Sequence, residues 1–444
     1  MPFNICMVSD FFYPNIGGVE SHLFHLSQQL ILRGHKVVIV THAYGGRTGI
    51  RYLTHGLKVY YVPQMVLYSQ ATLPTLYGFF PFFRTIVIRE KIDVVHGHQA
   101  FSSLCQEAIF HARTMGLKAC FTDHSLFGFA DASSILTNKM LKFNLSDIDH
   151  VICVSHTSKE NTVLRAALNP KNVSVIPNAV VAAQFIPDPG AANPNYITIV
   201  VISRLVYRKG MDLLVAVIPR ICAAHPKVRF MIAGDGPKRI DLEQMREKHL
   251  LHDRVELCGS IKHSEVRNTL IQGNIFMNTS LTEAFCIGIV EAACCGLLVV
   301  STKVGGVPEV LPHHMIHFAK PEEDDVVVAI TKAINTISMK EVDPTKFHDE
   351  VKEMYSWANV AERTEKVYSS ISQKRAPPLI ERLRRYYGCG LWAGKLFCFL
   401  VAIDYLILMF LEWILPRQDI EIAPTFPYRK YQKMCQLADK DEDA

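Results

Sequence analysis

The sequence predicts an α/β protein of two doubly wound domains with parallel sheets, followed by an apolar helix near the C-terminus. Three observations predict it. Short apolar runs alternate with helical patterns along most of the chain, as strands buried on both faces by crossover helices require. A break rich in Pro, Gly, Ala and Asn, AAQFIPDPGAANPNY, divides the alternation into two series. The 444 residues, 49% of them hydrophobic and 20% charged, exceed what one hydrophobic core organises and are too apolar for disorder.

Strands of the first series are expected at 3–8, 35–41, 57–62, 92–96, 118–122, 151–154 and 173–176. Val19, Leu23, Leu26 and Leu30 recur at helical spacing after the first of these, and Gly34 stands where a helix would be capped. The second series has expected strands at 197–202, 228–233, 255–258, 275–278, 297–301 and 316–318. The resulting division is an N-terminal domain 1–182, a linker 183–195, a second domain 196–344 and a helical segment 345–374.

Beyond it lie Arg382, Arg384 and Arg385, the apolar stretch 391–415 and a polar tail 416–444. The stretch is long enough to span a bilayer. A central Asp404 costs about 2.5 to 3.5 kcal/mol, against about 4 to 7 kcal/mol recovered from its Leu, Ile, Phe and Val residues, so insertion wins narrowly. A spanning helix would need a polar partner for Asp404 within the membrane, which points to a multi-subunit complex. In the other reading the helix lies on the membrane or on a partner, and Asp404 is a surface residue.

The 47 basic residues against 42 acidic ones leave a mild positive excess, and nucleic acid is excluded as an expected partner. Twelve cysteines without a CxxC pair suit a reducing compartment and make no zinc site. The start MPFNICMVSDFFYP reads as a buried strand and lacks the pattern of a secretory signal, so folding is expected to begin in the cytosol.

Three groups of residues carry candidate chemistry. Gly17 and Gly18 follow the first strand and open a helix, where backbone N–H groups and the helix dipole meet an anion; a turn needing positive φ is the other reading. Arg204 and Lys209, in SRLVYRKG just past the first strand of the second domain, are two cations suited to a diphosphate, one bidentate and one a point charge. Glu283 and Glu291 flank a loop entering a helix in EAFCIGIVEA; carboxylates accept from sugar hydroxyls, and the N–H groups of Phe285, Cys286, Ile287 and Gly288 suit a phosphate.

Taken in order with AGDGPKR and KVGGVPEV, these motifs resemble the retaining GT-B glycosyltransferases of family 4 over roughly residues 1 to 370. That resemblance implies two facing Rossmann-like domains, a nucleotide-sugar diphosphate gripped in the cleft between them, and no metal or other cofactor. It places Arg204 and Lys209 on the phosphates, Glu291 on the ribose, Glu283 and His124 at the donor sugar, and Ile261 beside the uracil. The family usually has Gly where this chain has Cys286. NICMVSDFFYP, TDHSLFGF, CGSIKHSEV and the C-terminal apolar stretch are similar to the PIG-A type branch. This branch implies transfer of N-acetylglucosamine from UDP-N-acetylglucosamine to phosphatidylinositol, opening glycosylphosphatidylinositol anchor synthesis. It also implies a single-pass endoplasmic reticulum membrane protein with a cytosolic catalytic domain and partner membrane subunits. A relative with another acceptor, or a non-catalytic UDP-sugar-binding scaffold, is the alternative.

Other patterns rank lower. His96 and His98 share one side of a strand end but have no third metal ligand in view, and so read as polar cleft residues. Asp147 and Asp149 precede a strand and read as a helix-end feature. The aromatic run 62–83 is expected to form a loop and helix, as an acceptor-lipid surface or as ordinary core.

Overall fold

In a computed structural model the described residues are 2–126, 132–424 and 426–427, with 132–136 described by backbone alone. The last residues of TDHSLFGF and the tail cations Arg429, Lys430 and Lys433 lie outside the described residues. Two compact units emerge: Met1–Val154, Lys159–Ile176 and Ala361–Ala444 form the first, and Ser155–Ser158 with Pro177–Val360 form the second.

The first unit contains β1 (Asn4–Val8), β2 (Lys36–His42), β3 (Gly49–Leu53), β4 (Leu57–Val62), β5 (Val66–Tyr68), β6 (Ala71–Thr72), β7 (Val94–His98), β8 (Lys118–Asp123), β9 (His150–Cys153) and β10 (Val173–Val175). Its eight-stranded sheet runs β10-β9-β8-β7-β1-β2-β4-β3, parallel except for β3. The strand order changes direction at β1, between β7 and β2, and the carboxyl ends there open the crevice where such sheets bind ligands. The Gly18–Leu32 helix buries Leu23, Leu26 and Leu30 against this sheet. Gly34 N–H and His35 N–H return to the Ile31 and Leu30 carbonyls, closing the helix at the expected cap.

The second unit contains β11 (Ile197–Ile202), β12 (Val228–Ala233), β13 (Val255–Gly259), β14 (Ile275–Asn278), β15 (Leu298–Thr302) and β16 (Ile316–Ala319). They form an all-parallel sheet in the order β13-β12-β11-β14-β15-β16, whose switch point falls between β11 and β14.

Run 62–83 is neither all core nor all surface. Phe79, Phe80 and Phe83 are fully buried, whereas Met65, Leu67 and Tyr68 of the β5–β6 hairpin are exposed. The hairpin, unexpected from sequence, is held by Asp10: its carboxylate accepts from Thr72 N–H at 2.9 Å and from Ser103 N–H at 3.0 Å.

Two expectations about acidic residues need correction. Asp147 and Asp149 are buried ion-pair centres: Asp147 accepts from Arg382 at 2.6 Å and Arg385 at 3.0 Å, and Arg113 pairs with both. Asp404, on the Ala393–Ile414 helix, finds its polar partner inside the same unit, accepting from His111 Nδ1 at 2.8 Å. Nothing about Asp404 therefore calls for a second subunit. That helix is the one among the described residues long and apolar enough to cross a membrane by length and composition.

The Asp147 centre ties the Leu379–Tyr387 helix to the sheet. Asp147→Ala removes the carboxylate from the buried Arg382 guanidinium, whereas Arg113 keeps Asp149, and is expected to cost about 3 to 5 kcal/mol. Arg385→Ala removes only a 38% exposed partner and is expected to cost under about 1 kcal/mol. Thermal unfolding of the detergent-purified chain checks the contrast; equal losses would count against it.

Candidate functional site

In the second unit the site grows from the carboxyl ends of β11 and β14. After β11 the chain turns through Ser203–Lys209 and enters the Met211–Ala224 helix. The AGDGPKR turn after β12 supports this loop: Leu205 N–H donates to the Asp235 carbonyl at 2.9 Å, and Lys238 N–H to the Leu205 carbonyl at 2.9 Å. Gly210 is left-handed at φ 68°, and a Cβ there would overlap the Thr279 carbonyl, so only glycine lets the loop press onto β14. Thr279 Oγ1 then donates to the Lys209 carbonyl at 2.8 Å.

That approach brings Lys209 and Glu283 into an ion pair, although they are far apart in sequence. Ser280 Oγ donates to the same Glu283 oxygen at 2.9 Å, and Gly306 N–H to the Glu283 carbonyl at 3.0 Å. Burial works against the Lys209 ammonium, but the Glu283 carboxylate outweighs it and raises the pKa above the usual lysine value. Lys209 is thus a permanent cation. Arg204 is exposed beside it, and no carboxylate pairs with its guanidinium among the described residues.

Past Glu283 the chain meets the Ile287–Cys294 helix. Cys286 caps it at φ 70°, ψ 83°, so the position where the resemblance has glycine keeps the left-handed conformation with a side chain present. The N–H groups of Ile287 and Gly288 begin the helix. Burial, followed by the Glu283 charge, pushes the Cys286 thiol up to about 12, so it is no thiolate nucleophile. Phe285 turns its ring into the core against Tyr355, with centroids 5.6 Å apart, which leaves only its backbone for a ligand. Glu291 sits one turn into the helix, and burial raises its carboxyl to about 7. Ile261 is half-buried just beyond β13.

The first unit gathers a different set. Gly17 has extended backbone at φ −175°, and neither it nor Gly18 has positive φ, so the turn reading fails. Glu20 lays its carboxylate where a Gly17 Cβ would stand, and Asn15 donates to it at 2.5 Å. From the same helix His22 reaches His124, with ring centroids 4.7 Å apart, and His98 Nδ1 lies 3.3 Å from His124 Nε2. Burial, then neighbouring imidazoles, holds His98 and His124 well below the usual histidine pKa, so both are neutral near pH 7.

His22, His98 and His124 place ligating nitrogens within 4.8 Å of one another, a set able to hold a metal ion. This corrects the sequence reading of His96 and His98. His96 is fully buried with its two nitrogens bonded to Tyr368 and Thr122, each at 2.7 Å, while His98 has partners from two other elements. Sequence reasoning missed His22, although it ends the GGVESH motif.

A left-handed non-glycine residue costs about 1 kcal/mol. Relief of that strain in Cys286→Gly exceeds the added unfolded-chain entropy of about 0.5 kcal/mol, so a net gain of about 0.5 kcal/mol is expected. Cys286→Val should lose more than about 1 kcal/mol, since β-branching disfavours this conformation. Denaturation midpoints of both variants test the ordering.

Residues 42–131 match the family model described as PIGA (GPI anchor biosynthesis), and residues 183–342 match Glycosyl transferases group 1. The chain is 64% identical over 417 residues to the phosphatidylinositol N-acetylglucosaminyltransferase gpi3 subunit of Schizosaccharomyces pombe, covering 94% of this chain and 91% of that protein. It is 49% identical over 438 residues to the phosphatidylinositol N-acetylglucosaminyltransferase GPI3 subunit of Saccharomyces cerevisiae, covering 96% and 97%. Among solved structures, sucrose-phosphate synthase from Thermosynechococcus elongatus superposes with a TM-score of 0.71 at 19% identity, over 83% of this chain and 99% of that one. Anabaena HepE in complex with UDP gives 0.67 at 17% identity, over 83% and 100%. These structural likenesses show the fold, which is that of the GT-B glycosyltransferases.

Proposed function

Because the chain belongs to the PIGA family of glycosyltransferases, we propose that it is the catalytic subunit that transfers N-acetylglucosamine from UDP-N-acetylglucosamine to phosphatidylinositol, opening glycosylphosphatidylinositol anchor synthesis. The observation that carries the donor half is the Lys209–Glu283 pair beside the exposed Arg204 at the start of the Ile287–Cys294 helix. The acceptor half is supported by relatives named for phosphatidylinositol. Their naming as subunits supports membrane partner subunits. Eleven free cysteines among the described residues suit a cytosol-facing enzyme, held at the endoplasmic reticulum membrane through the Ala393–Ile414 helix.

Transfer proceeds with retention, on one face of the sugar. Arg204, Lys209 and the helix N–H groups of Ile287 and Gly288 stabilise the charge developing on the departing UDP, the preorganised electrostatic contribution that dominates such catalysis. Glu283 holds Lys209 in place and faces the donor sugar, Glu291 accepts from the ribose hydroxyls, and His124 is assigned to the transferred sugar. Ile261 borders the uracil. Gly17 and Gly18 remain assigned to the donor through their helix start, with Glu20 as a neighbouring charge.

Microsomes carrying the chain, given labelled donor and phosphatidylinositol, are expected to form labelled glycolipid. Arg204→Ala should lower kcat by about 10² to 10³-fold. Near-normal turnover of that variant at saturating donor would remove Arg204 from the mechanism, and absence of any inositol-lipid product would remove the acceptor assignment.

Glu291 adds a pH dependence with a definite sign. Burial disfavours its charged form up to about pH 7, whereas ribose hydroxyls donate to the carboxylate. Donor KM should therefore fall as pH rises from 6 to 8, the change approaching about tenfold per unit on the acid side. Glu291→Gln should flatten that profile; an unaltered slope would place the titrating group elsewhere.

A further inference from the structure

Three imidazoles converge at the carboxyl edge of the first sheet, beside its switch point. His98 closes β7, His124 directly follows β8, and His22 comes from the Gly18–Leu32 helix that succeeds β1. His98 Nδ1 lies 3.3 Å from His124 Nε2, and the His22 ring meets both others, with centroids 4.7 Å from His124 and 5.6 Å from His98. Among the described residues no other group of histidine, cysteine and acidic side chains brings three ligand atoms within 4.8 Å of one another.

Ordinary core packing does not account for the trio. His96 shows what a packed histidine needs here: both of its nitrogens are bonded, to Tyr368 and to Thr122. His98 is as fully buried, yet its Nε2 has no hydrogen-bond partner among the described residues, an uncompensated polar atom of the kind that packed cores avoid. His124 alone of the three is partly exposed, which leaves the cluster open to an entering ion.

The geometry and the donor set select the ion. Two nitrogens of a tetrahedral zinc ion, with bonds of about 2.0 to 2.1 Å, stand about 3.3 to 3.4 Å apart. His98 and His124 already hold that separation, and the His22 nitrogen, within 4.8 Å, completes the set by a small side-chain adjustment. Burial keeps His98 and His124 in the neutral form that ligates. Imidazoles suit zinc and its transition-metal neighbours, whereas Mg2+ and Ca2+ demand oxygen. Three protein nitrogens leave the fourth zinc position to water or an anion.

We propose that His22, His98 and His124 bind one zinc ion, and that the bound ion shuts out the donor sugar. The second half rests on the assignment of His124 to that sugar, because the nitrogen that ligates zinc is lost to a sugar hydroxyl. The ion is thus an inhibitor of transfer and no part of it.

The full chain is purified in detergent through a tag without histidines, stripped with chelator and titrated with zinc against a chromophoric competitor. One zinc per chain is expected, with Mg2+ unable to displace it, and His22→Gln or His98→Gln should each weaken it by more than about tenfold. An affinity that both variants leave unchanged would overturn the site. Co2+ added to the wild-type chain needs no substitution: it should give the visible bands of a tetrahedral ion without thiolate charge transfer. A thiolate band would assign the metal to the free cysteines, and either that band or the lack of a tetrahedral spectrum would sink the proposal. UDP-N-acetylglucosamine at about ten times its own Kd should raise the apparent Kd for zinc about tenfold. Equal zinc affinity with and without the donor would overturn the exclusion. Glycolipid formation, assayed with chelator present, tests the transferase reading separately.

Discussion

Everything at the candidate site of the second unit depends on the ion pair between Lys209 and Glu283. It closes the loop after β11 onto the loop after β14, and so sets Arg204, the Cys286 cap and the Ile287–Cys294 helix in one frame. Its electrostatic consequence is less obvious than its mechanical one. Because Glu283 already compensates Lys209, Arg204 is the cation of this site without a carboxylate partner among the described residues, and in the proposed reading it meets the anion with the helix N-terminus. Two cations and one carboxylate leave one net positive charge, so in the proposed reading a diphosphate shares Lys209 with Glu283. Glu283 thereby prevents Lys209 from wandering in the absence of ligand without neutralising the whole site.

The same economy of charge operates in the first unit. An unpaired carboxylate in an apolar setting costs several kcal/mol, which exceeds the gain from any single apolar contact beside it. Asp404, Glu412 and Asp147 are tolerated because His111, Arg84, Arg113 and Arg382 meet them. Each pair also fixes register: a one-turn slip of the apolar helix would part Asp404 from His111 and Arg84 from Glu412 together. Polar groups thus determine where the helix docks, while apolar ones determine that it docks somewhere.

Much of the framework was legible in the sequence because it obeys local rules. Strands such as β4, β11, β12 and β14 coincide with their apolar runs, since burial on both faces leaves an uninterrupted hydrophobic text. β3 was not legible: Gly49–Leu53 is almost wholly exposed and held by backbone pairing to β4, which leaves no apolar signature. The hairpin β5–β6 escaped for a similar reason. Its anchor is Asp10, distant in the chain. At the candidate site, residue types and spacing single out Arg204, Lys209, Glu283 and Glu291, but not the pairing of the middle two, which needs the close approach at Gly210. His22 and His98 came together through tertiary contact alone. Phe285 shows the converse limit, since a residue inside a motif read as ligand-binding faces the core.

Glu283 and Glu291 illustrate how one short segment makes two different carboxylates. Glu283 stands at the end of a loop, partly solvated, with an ammonium and a hydroxyl already donating to it. Glu291 stands within a helix among Ala292, Ala293 and Val290, and burial is the influence that moves it. A carboxylate with its partners in place serves as a fixed point in the frame. One left desolvated gains most from hydroxyls that a ligand brings, because those donors replace water the fold has removed. Eight positions apart, the two divide the work in the proposed reading, Glu283 fixing Lys209 before a donor arrives and Glu291 gaining its partners from the donor.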